Sequence, residues 1–313
     1  MDFLLKSKIL ELDPDTVQYV RKQYNLDKPG RIEDAVALLR EWVQKQSHFN
    51  KKDFSDQYLE VTIIICKGSV ERAKTQLDKM CTFRTLMPDF FSTRVVKKEY
   101  EEYHKIVQSI VLPKLTPDHY RVHLAKYHNV EWEASQAIHF FRQNVYLAEY
   151  IKAHDYLSGF VLVIDLSDAN IMNFLPKINV FQAKQTMTIL MEGYGMRVKQ
   201  MHVISKSKLV DGFVLLLKQL VSPKIGDRIK VHKSIQDLFK YIPKAILPKD
   251  YGGEERSLET LQAEWIDAFT TDEYLKYLQE MNAATTNESC RPRDKFSENY
   301  AGMSGTFRYL TVD

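Results

Sequence analysis

The chain has 313 residues, of which 44% are hydrophobic and 27% are charged, so it can bury a sizeable core in more than one domain. Its 44 Lys and Arg residues nearly balance its 41 Asp and Glu residues, and the net charge of +3 argues against a dedicated nucleic-acid binder. Cys66, Cys81 and Cys290 are widely spaced and lack a zinc-binding pattern. We therefore expect free thiols in a reducing compartment, with no metal and no other cofactor.

The first residues do not have the pattern of a secretory signal. Asp2, Lys6 and Lys8 interrupt the apolar stretch at residues 1–10, and no small-residue cleavage site follows. No window contains the roughly 20 apolar residues that a membrane-spanning helix needs. The sequence therefore predicts a cytoplasmic protein.

The first part of the chain, residues 1–90, is predicted to be a helical bundle. Asp13 followed by Pro14 is typical of a helix start. The next helix has one apolar face, which consists of Ile32, Ala35, Val36, Leu39, Trp42 and Val43. Two further helices are predicted at residues 57–66 and 70–83.

Beyond Pro88 the pattern changes to alternating strands and helices, which favours a sheet with crossover helices over residues 91–255. The predicted strands are residues 120–127, 160–164, 200–205 and 228–231. The predicted helices are residues 133–152, a helix opened by Pro176, and residues 211–221. The apolar run at 160–164 is typical of a parallel strand that is covered on both faces.

Residues 256–313 are predicted to form one closing helix and an extended tail. The apolar stripe of that helix consists of Leu258, Leu261, Trp265 and Phe269. The last thirty residues are rich in polar residues, and only Phe307, Tyr309 and Leu310 offer an anchor for the tail.

The sequence offers little support for an enzyme. It has no G-x-S-x-G turn and no glycine-rich phosphate loop, and Gly193 and Gly195 are expected to end a helix. Asp165 ends a buried strand, with Asp168 nearby, and a carboxylate in that position usually caps the following turn. We expect His123 and His202, which lie in strands, to be structural.

Several segments form a recognisable set. They include Gly159 with the Val163-Ile164-Asp165 strand end, His202-Val203-Ile204 and residues 224–232. The most specific segment is Ile246-Leu247-Pro248-Lys249-Asp250-Tyr251-Gly252-Gly253-Glu254. Together these segments resemble the CRAL-TRIO family, which includes tocopherol and retinaldehyde carriers. The N-terminal helices are similar to the leading module of the family at Ala73, Leu77, Phe83 and Arg84, and residues 305–308 are similar to the tails of arthropod members.

Two segments depart from the family pattern. Many relatives have an arginine-rich stretch where this chain has the apolar residues 61–66, so a basic contribution is missing. Relatives also tend to have Asn and Pro after the third strand, where this chain has Ser205-Lys206-Ser207. The loop that leads into residues 211–221 is therefore expected to differ.

The resemblance implies a non-catalytic, monomeric carrier that encloses one isoprenoid, retinoid or tocopherol-like molecule in an apolar cavity and exchanges it at membranes. The open alternatives are a phosphoinositide or phospholipid exchange or sensing protein and, more remotely, an α/β-hydrolase-like enzyme with Asp165 and His202. Taken singly and without the resemblance, each candidate cavity residue would be interpreted as ordinary core. The candidates are Phe160, Leu162, Ile164, Phe174, Phe181, Met187, Leu190, Ile204, Phe213, Leu216, Leu217, Leu220 and Val221.

Four basic residues occupy positions similar to those that contact phosphoinositide headgroups in the family's tocopherol carrier. They are Arg197, Lys199, Lys224 and Arg228. The alternative is a solvated basic surface.

The family resemblance and the apolar arc of residues 211–221 predict a mobile lid over the cavity. Asp211, Lys218 and Gln219 lie opposite the arc, and Leu215 interrupts this polar side. Leu215 is therefore a candidate membrane contact, whereas the alternative is a static core helix.

Overall fold

The computed structural model describes Ser7, residues 9–91 and residues 97–291. The predicted tail anchors Phe307, Tyr309 and Leu310, and the family-like segment 305–308, lie outside these residues. No helix in the part of the chain that the structure describes is long and apolar enough to cross a membrane.

The N-terminal helices form a bundle with its own apolar core. Leu39, Ile63 and Leu77 come from three different helices and are almost fully buried in this core. The first helix begins at Thr16, so the structure moves its predicted start away from Asp13 and Pro14. The helices are α1 (Thr16–Lys22), α2 (Arg31–Lys45), α3 (Asp56–Ile65) and α4 (Val70–Leu86).

A five-stranded mixed sheet follows a further helix, α5 (Lys97–His104). Its strands are β1 (Val107–Val111), β2 (Tyr120–Tyr127), β3 (Gly159–Asp165), β4 (Val198–Ile204) and β5 (Ile229–His232). They lie in the order β1-β2-β3-β4-β5; β1 pairs antiparallel to β2, and the other pairs are parallel. The predicted α/β class with a mostly parallel sheet is confirmed.

Helices connect the parallel strands. The helix predicted to open at Pro176 instead begins at Val180, because Asn179 accepts a hydrogen bond from the Gln182 backbone amide and so caps the helix there. Pro176 lies in a short 3₁₀ turn before it. The connecting helices are α6 (Ala137–His154), α7 (Ile171–Phe174), α8 (Val180–Thr188), α9 (Val210–Leu220) and α10 (Pro223–Gly226).

Two helices follow the sheet where the sequence predicted one. They are α11 (Leu258–Phe269) and α12 (Asp272–Asn282). In α11, Trp265 is fully buried and donates a hydrogen bond from Nε1 to the carbonyl of Val111 at 2.9 Å. In α12, Met281 packs in the core of the N-terminal bundle. The end of the described chain therefore returns to the N-terminal helices.

Candidate functional site

An apolar cavity of about 170 Å³ lies against one face of the sheet. An engineered protein cavity of about 150 Å³ lined by aliphatic and aromatic residues stays dry and binds small apolar molecules. The described residues that line the cavity include no Asp, Glu, Lys or Arg. They are Tyr103, Ile106, Val107, His123, Ala125, Tyr127, Trp132, Ala137, Phe140, Phe141, Asn144, Leu162, Val163, Ile164, Phe174, Ile178, Ala183, Thr186, Met187, Leu190, Met196, Phe213, Leu216, Leu217 and Leu220.

The periodicity of two elements explains how they contribute to this wall. In β2, His123, Ala125 and Tyr127 line the cavity, as alternate residues of a strand point to the same face. In α8 and the turn after it, Ala183, Met187 and Leu190 line it at helical spacing. Strand and helix patterns thus converge on one apolar space.

Nine of the thirteen cavity candidates lie on this wall. They are Leu162, Ile164, Phe174, Met187, Leu190, Phe213, Leu216, Leu217 and Leu220. The structure brings them together from β3, α7, α8, the turn after α8, and α9.

The structure places the other four candidates elsewhere. Phe160, at the start of β3, lines a separate pocket of about 40 Å³ beneath α3 and α6. Phe181 is 53% exposed, since it lies two residues from Ala183 and so points to the opposite side of α8. Ile204 packs in the core on the other sheet face, and Val221 lies beyond the end of α9. None of the four is on the cavity wall.

The sequence analysis did not include the wall contributed by α5, β1, β2 and α6. Its aromatic members include Tyr103, Tyr127, Phe140 and Phe141. The signal was present in part, because the alternation in β2 identifies one face of the strand. Nothing in that alternation, however, tells which face meets a cavity.

Helix α9 closes one side of the cavity. Phe213 is 3% exposed, and its ring centroid lies 6.1 Å from that of Phe174. Leu215 is 61% exposed on the outer side of the same helix. The apolar arc of α9 therefore covers the cavity while Leu215 points away from it.

Further apolar side chains are exposed close to this helix. Met172, Val180 and Phe181 lie in α7 and at the start of α8, and Leu209 immediately precedes α9. Helix α9 packs against α8, and Phe174 in α7 contacts Phe213. We refer to Met172, Val180, Phe181, Leu209 and Leu215 as the outer apolar patch. Exposed apolar residues on neighbouring elements are typical of an interaction surface.

Asp165 and Asp168, the carboxylates that could act in an enzyme, both have structural partners. Asp165 accepts hydrogen bonds from the backbone amide of Ser167 at 2.9 Å and the hydroxyl of Tyr251 at 2.6 Å. It therefore caps the turn after β3. Asp168 forms an ion pair with Lys126 at 2.9 Å.

The two histidines that the sequence analysis considered lie on different faces of the sheet. His202 Nδ1 lies 2.8 Å from His232 Nε2, and burial lowers the pKa of His202 to about 4. His123 lines the cavity on the other face. In the described part of the chain, neither ring forms a hydrogen bond with a carboxylate, as a catalytic triad requires, and no cluster of three or more metal-ligating side chains occurs there.

Three of the four predicted phosphate-binding residues are neighbours. Burial lowers the pKa of Lys199, and the charges of Arg197, Arg228 and Lys67 lower it further. Arg197 donates a hydrogen bond to the hydroxyl of Tyr24, and its guanidinium lies 5.3 Å from the centroid of that ring. We refer to Lys67, Arg197, Lys199 and Arg228 as the basic cluster.

The basic cluster differs from the predicted set at two positions. Lys224 lies exposed in α10 and is not one of the three charges that most lower the pKa of Lys199, which are those of Arg197, Arg228 and Lys67. Lys67, which the sequence analysis did not identify, joins the cluster from the turn after α3. One positive charge of the basic cluster, that of Lys67, therefore belongs to the N-terminal bundle.

Residues 106–253 match the CRAL/TRIO domain, and residues 28–100 match the Pinta-like UBA domain. The chain belongs to the CRAL-TRIO family. The matched CRAL/TRIO range contains the sheet, the cavity-lining helices α6 to α9 and three residues of the basic cluster. Lys67 falls within the range that matches the Pinta-like domain.

Curated relatives are similar to part of this CRAL-TRIO chain. Proteins named alpha-tocopherol transfer protein-like from Homo sapiens and Pongo abelii are each 27% identical over 121 residues, which is 38% of this chain and 35% of theirs. The protein of the same name from Mus musculus is 29% identical over 110 residues, 35% of this chain and 31% of its own. The matches thus span about a third of those relatives.

Among solved structures, the chain is similar to one described as the crystal structure of Sfh5. The two chains are 14% identical with a TM-score of 0.45, and the match covers 87% of this chain and 98% of the other.

Proposed function

We propose that this CRAL-TRIO protein is a non-catalytic carrier that encloses one hydrophobic molecule, an isoprenoid, retinoid or tocopherol-like lipid, and exchanges it at a membrane surface. The observation that carries the proposal is the apolar cavity, whose described lining contains no charged side chain. Burying apolar area is favourable by about 25 cal/mol per Å². A lipid that moves from a bilayer into this cavity therefore keeps an apolar environment.

The proposed carrier must open to exchange its ligand, and α9 is the element best suited to move. Leu216, Leu217 and Leu220 present apolar side chains to the cavity, and the outer apolar patch adjoins the same helix. When α9 swings outward at a bilayer, its apolar arc contacts lipid instead of water. The membrane thereby lowers the free energy of the open state.

The names of the relatives support the transport of a lipid, because they contain the words tocopherol transfer protein. The similarity covers about a third of the length of those relatives. The absence of catalysis is likewise part of the proposal. It is supported by the structural partners of Asp165 and Asp168 described above.

A second proposal concerns the basic cluster, which we infer binds anionic phosphoinositide headgroups during docking. Lys199 is surrounded by the like charges of Arg197, Arg228 and Lys67, and such a cluster is stabilised by a polyanion. The Tyr24 ring holds Arg197 in place. A headgroup bound there would position the protein at an anionic membrane while the cavity carries a different molecule.

The experiment that tests the carrier proposal is analysis of the native ligand. The full chain is purified from a lipid-rich host under non-denaturing conditions, weighed intact by native mass spectrometry, and then extracted with organic solvent. We expect a one-to-one complex and an extract dominated by one class of neutral lipid. An extract dominated by phospholipid would favour the exchange-protein alternative, and chemically altered lipid accumulating with time would favour an enzyme.

A further inference from the structure

The cavity wall contains a few polar side chains, and some of their hydrogen-bonding groups are used within the protein. Thr186 donates from Oγ1 to the carbonyl of Gln182 at 2.9 Å within its own helix. Asn144 donates from Nδ2 to the carbonyl of Phe140 at 2.8 Å. The hydroxyl hydrogen of Thr186 is therefore not available to a ligand, whereas the amide of Asn144 keeps one N–H hydrogen and Oδ1.

In His123, one ring nitrogen is used within the protein and the other is not. Its Nε2 lies 2.9 Å from the hydroxyl oxygen of Ser109. In the described part of the chain, Nδ1 forms no hydrogen bond, although the side chain lines the cavity. Buried ring nitrogens usually have a partner, so Nδ1 is a candidate ligand contact.

Ser109 determines which nitrogen of His123 carries the proton. Ser109 is fully buried, and its hydroxyl has no hydrogen-bond acceptor other than His123 Nε2 among the described residues. The hydroxyl hydrogen therefore points to Nε2, which leaves the ring proton on Nδ1. In the neutral ring, Nδ1 is thus a hydrogen-bond donor.

The position of Ser109 is itself fixed from two sides. Its backbone amide donates to Gln262 Oε1 at 3.1 Å, and its carbonyl accepts from Gln143 Nε2 at 2.8 Å. Gln143 and Ser109 are fully buried, and Gln262 is 4% exposed. This network holds the His123 ring in one orientation, as a preorganised contact requires.

The surroundings also determine the charge of the contact. Burial lowers the pKa of His123 to about 4, so the ring is neutral at pH 7. Since none of the described residues that line the cavity has a cationic side chain, a ligand phosphate or carboxylate would be buried there without a counter-charge. An uncharged oxygen accepts the Nδ1 hydrogen without that cost.

We propose that His123 Nδ1 is the polar anchor of the cavity and that the ligand is a long apolar molecule with one uncharged oxygen acceptor at the end that meets it. This inference rests on the proposed carrier function and narrows its ligand class. It assigns to His123 a binding role that differs from the structural role expected from the sequence.

A paired-ligand experiment tests this anchor. The full chain is incubated with phosphatidylcholine vesicles that contain equal amounts of phytol, a C20 isoprenoid alcohol, and phytane, the corresponding hydrocarbon. The protein is reisolated, and the bound ratio of phytol to phytane is measured by mass spectrometry. We expect wild-type protein to favour phytol and His123→Leu to lower the ratio about tenfold, as for the loss of one buried hydrogen bond.

Three further variants make the result specific. Thr188→Val removes a hydroxyl of the same helix α8 that is not on the cavity wall and that donates to the carbonyl of Lys184, so the ratio should stay at the wild-type value. His123→Gln keeps a donor and should recover part of the preference. Tyr103→Phe removes another buried hydroxyl of the cavity wall that has no hydrogen-bond partner among the described residues, so it tests whether Tyr103 is the anchor instead of His123.

The outcomes separate the anchor from the carrier function. Retained phytane uptake by His123→Leu shows that the variant is folded and that the cavity is intact. An unchanged ratio in His123→Leu, or a loss confined to Tyr103→Phe, overturns the anchor and leaves the carrier proposal standing. If wild-type protein takes up neither probe, the carrier proposal fails and the anchor fails with it.

Discussion

The guanidinium of Arg84 donates a hydrogen bond to Glu149 Oε2 at 2.8 Å, and both side chains are buried. Tyr194 donates to the same oxygen at 2.6 Å, and Tyr277 donates to Oε1 at 2.8 Å. The carboxylate thus joins helices α4, α6 and α12 with the segment that follows α8. This ion pair connects the N-terminal bundle to the helix that lines the cavity.

Removing the charge of Glu149 should destabilise the whole chain. Glu149→Gln leaves Arg84 buried without a counter-charge, and breaking a buried pair in this way costs about 3 to 5 kcal/mol. Urea unfolding measures the free energy change. Glu41→Gln, which removes one partner of the exposed Lys45 pair, is the control and should have no measurable effect. Equal stability of the two variants would show that the buried pair is not needed.

The buried histidines predict a loss of stability in acid. Burial lowers the pKa values of His104, His123 and His202 to about 4, whereas an unfolded histidine titrates near 6.5. The unfolded chain therefore binds protons first, and stability present above about pH 6.5 is lost as the pH falls towards 4. Each histidine contributes up to about 1.4 kcal/mol per pH unit in that interval.

Urea midpoints between pH 7.5 and 4.5 provide the measurement. The wild-type midpoint should fall steadily below pH 6.5, and His202→Gln should show a shallower fall because one titrating group is gone. A wild-type midpoint that is constant from pH 7 to 5 would contradict the assignment of neutral buried histidines.

Strong periodicity made much of the fold predictable from the sequence. The apolar run of β3 predicts a buried strand, and the wide apolar arc of α9 predicts a helix. Both elements begin and end within one or two residues of their predicted bounds. Strand β1 was missed because it is only five residues long and has no clear alternation of exposure. Helix α12 was missed because its polar residues resemble those of the tail.

The cavity wall was only partly predictable, for a physical reason. Periodicity shows which residues of an element share a face, as for Ala183, Met187 and Leu190, but not what that face meets. Ile204 and Leu162 are similar apolar strand residues, yet one packs in the core and the other lines the cavity. The same limit applies to His123, whose partner Ser109 lies in the strand that the sequence did not reveal.

The lid proposal predicts different effects for two substitutions in α9. Leu215→Asp changes an exposed residue of the outer apolar patch, so transfer between vesicles should slow about tenfold while ligand affinity stays constant. Phe213→Asp places a carboxylate beside the cavity and should lower affinity at least about tenfold. Fluorescence transfer assays and equilibrium titrations measure the two quantities. Undiminished transfer after α9 is cross-linked to the body through engineered cysteines would rule out the lid.

The basic cluster predicts a specific dependence on anionic lipid. Arg197→Ala combined with Arg228→Ala removes two positive charges, each worth about 1 kcal/mol at an anionic membrane, so binding should weaken roughly thirtyfold. Flotation with and without phosphoinositide-containing vesicles is the measurement. The control is Lys45→Ala combined with Lys276→Ala, which removes two exposed positive charges from α2 and α12, away from the basic cluster. It should have little effect. Equal losses for the two double variants would indicate a nonspecific charge effect.

The central claim, that the apolar cavity holds the carried lipid, is tested most directly by filling it. Ala183 is buried on the cavity wall, so Ala183→Phe should occupy ligand space, whereas Ala37→Phe places the same ring on an exposed face of α2. The measurements are the amount of phytol bound per protein at saturation and the dissociation constant of phytol. We predict one molecule for wild type and Ala37→Phe and at least about tenfold weaker binding for Ala183→Phe. Undiminished binding to a folded Ala183→Phe variant would contradict the claim.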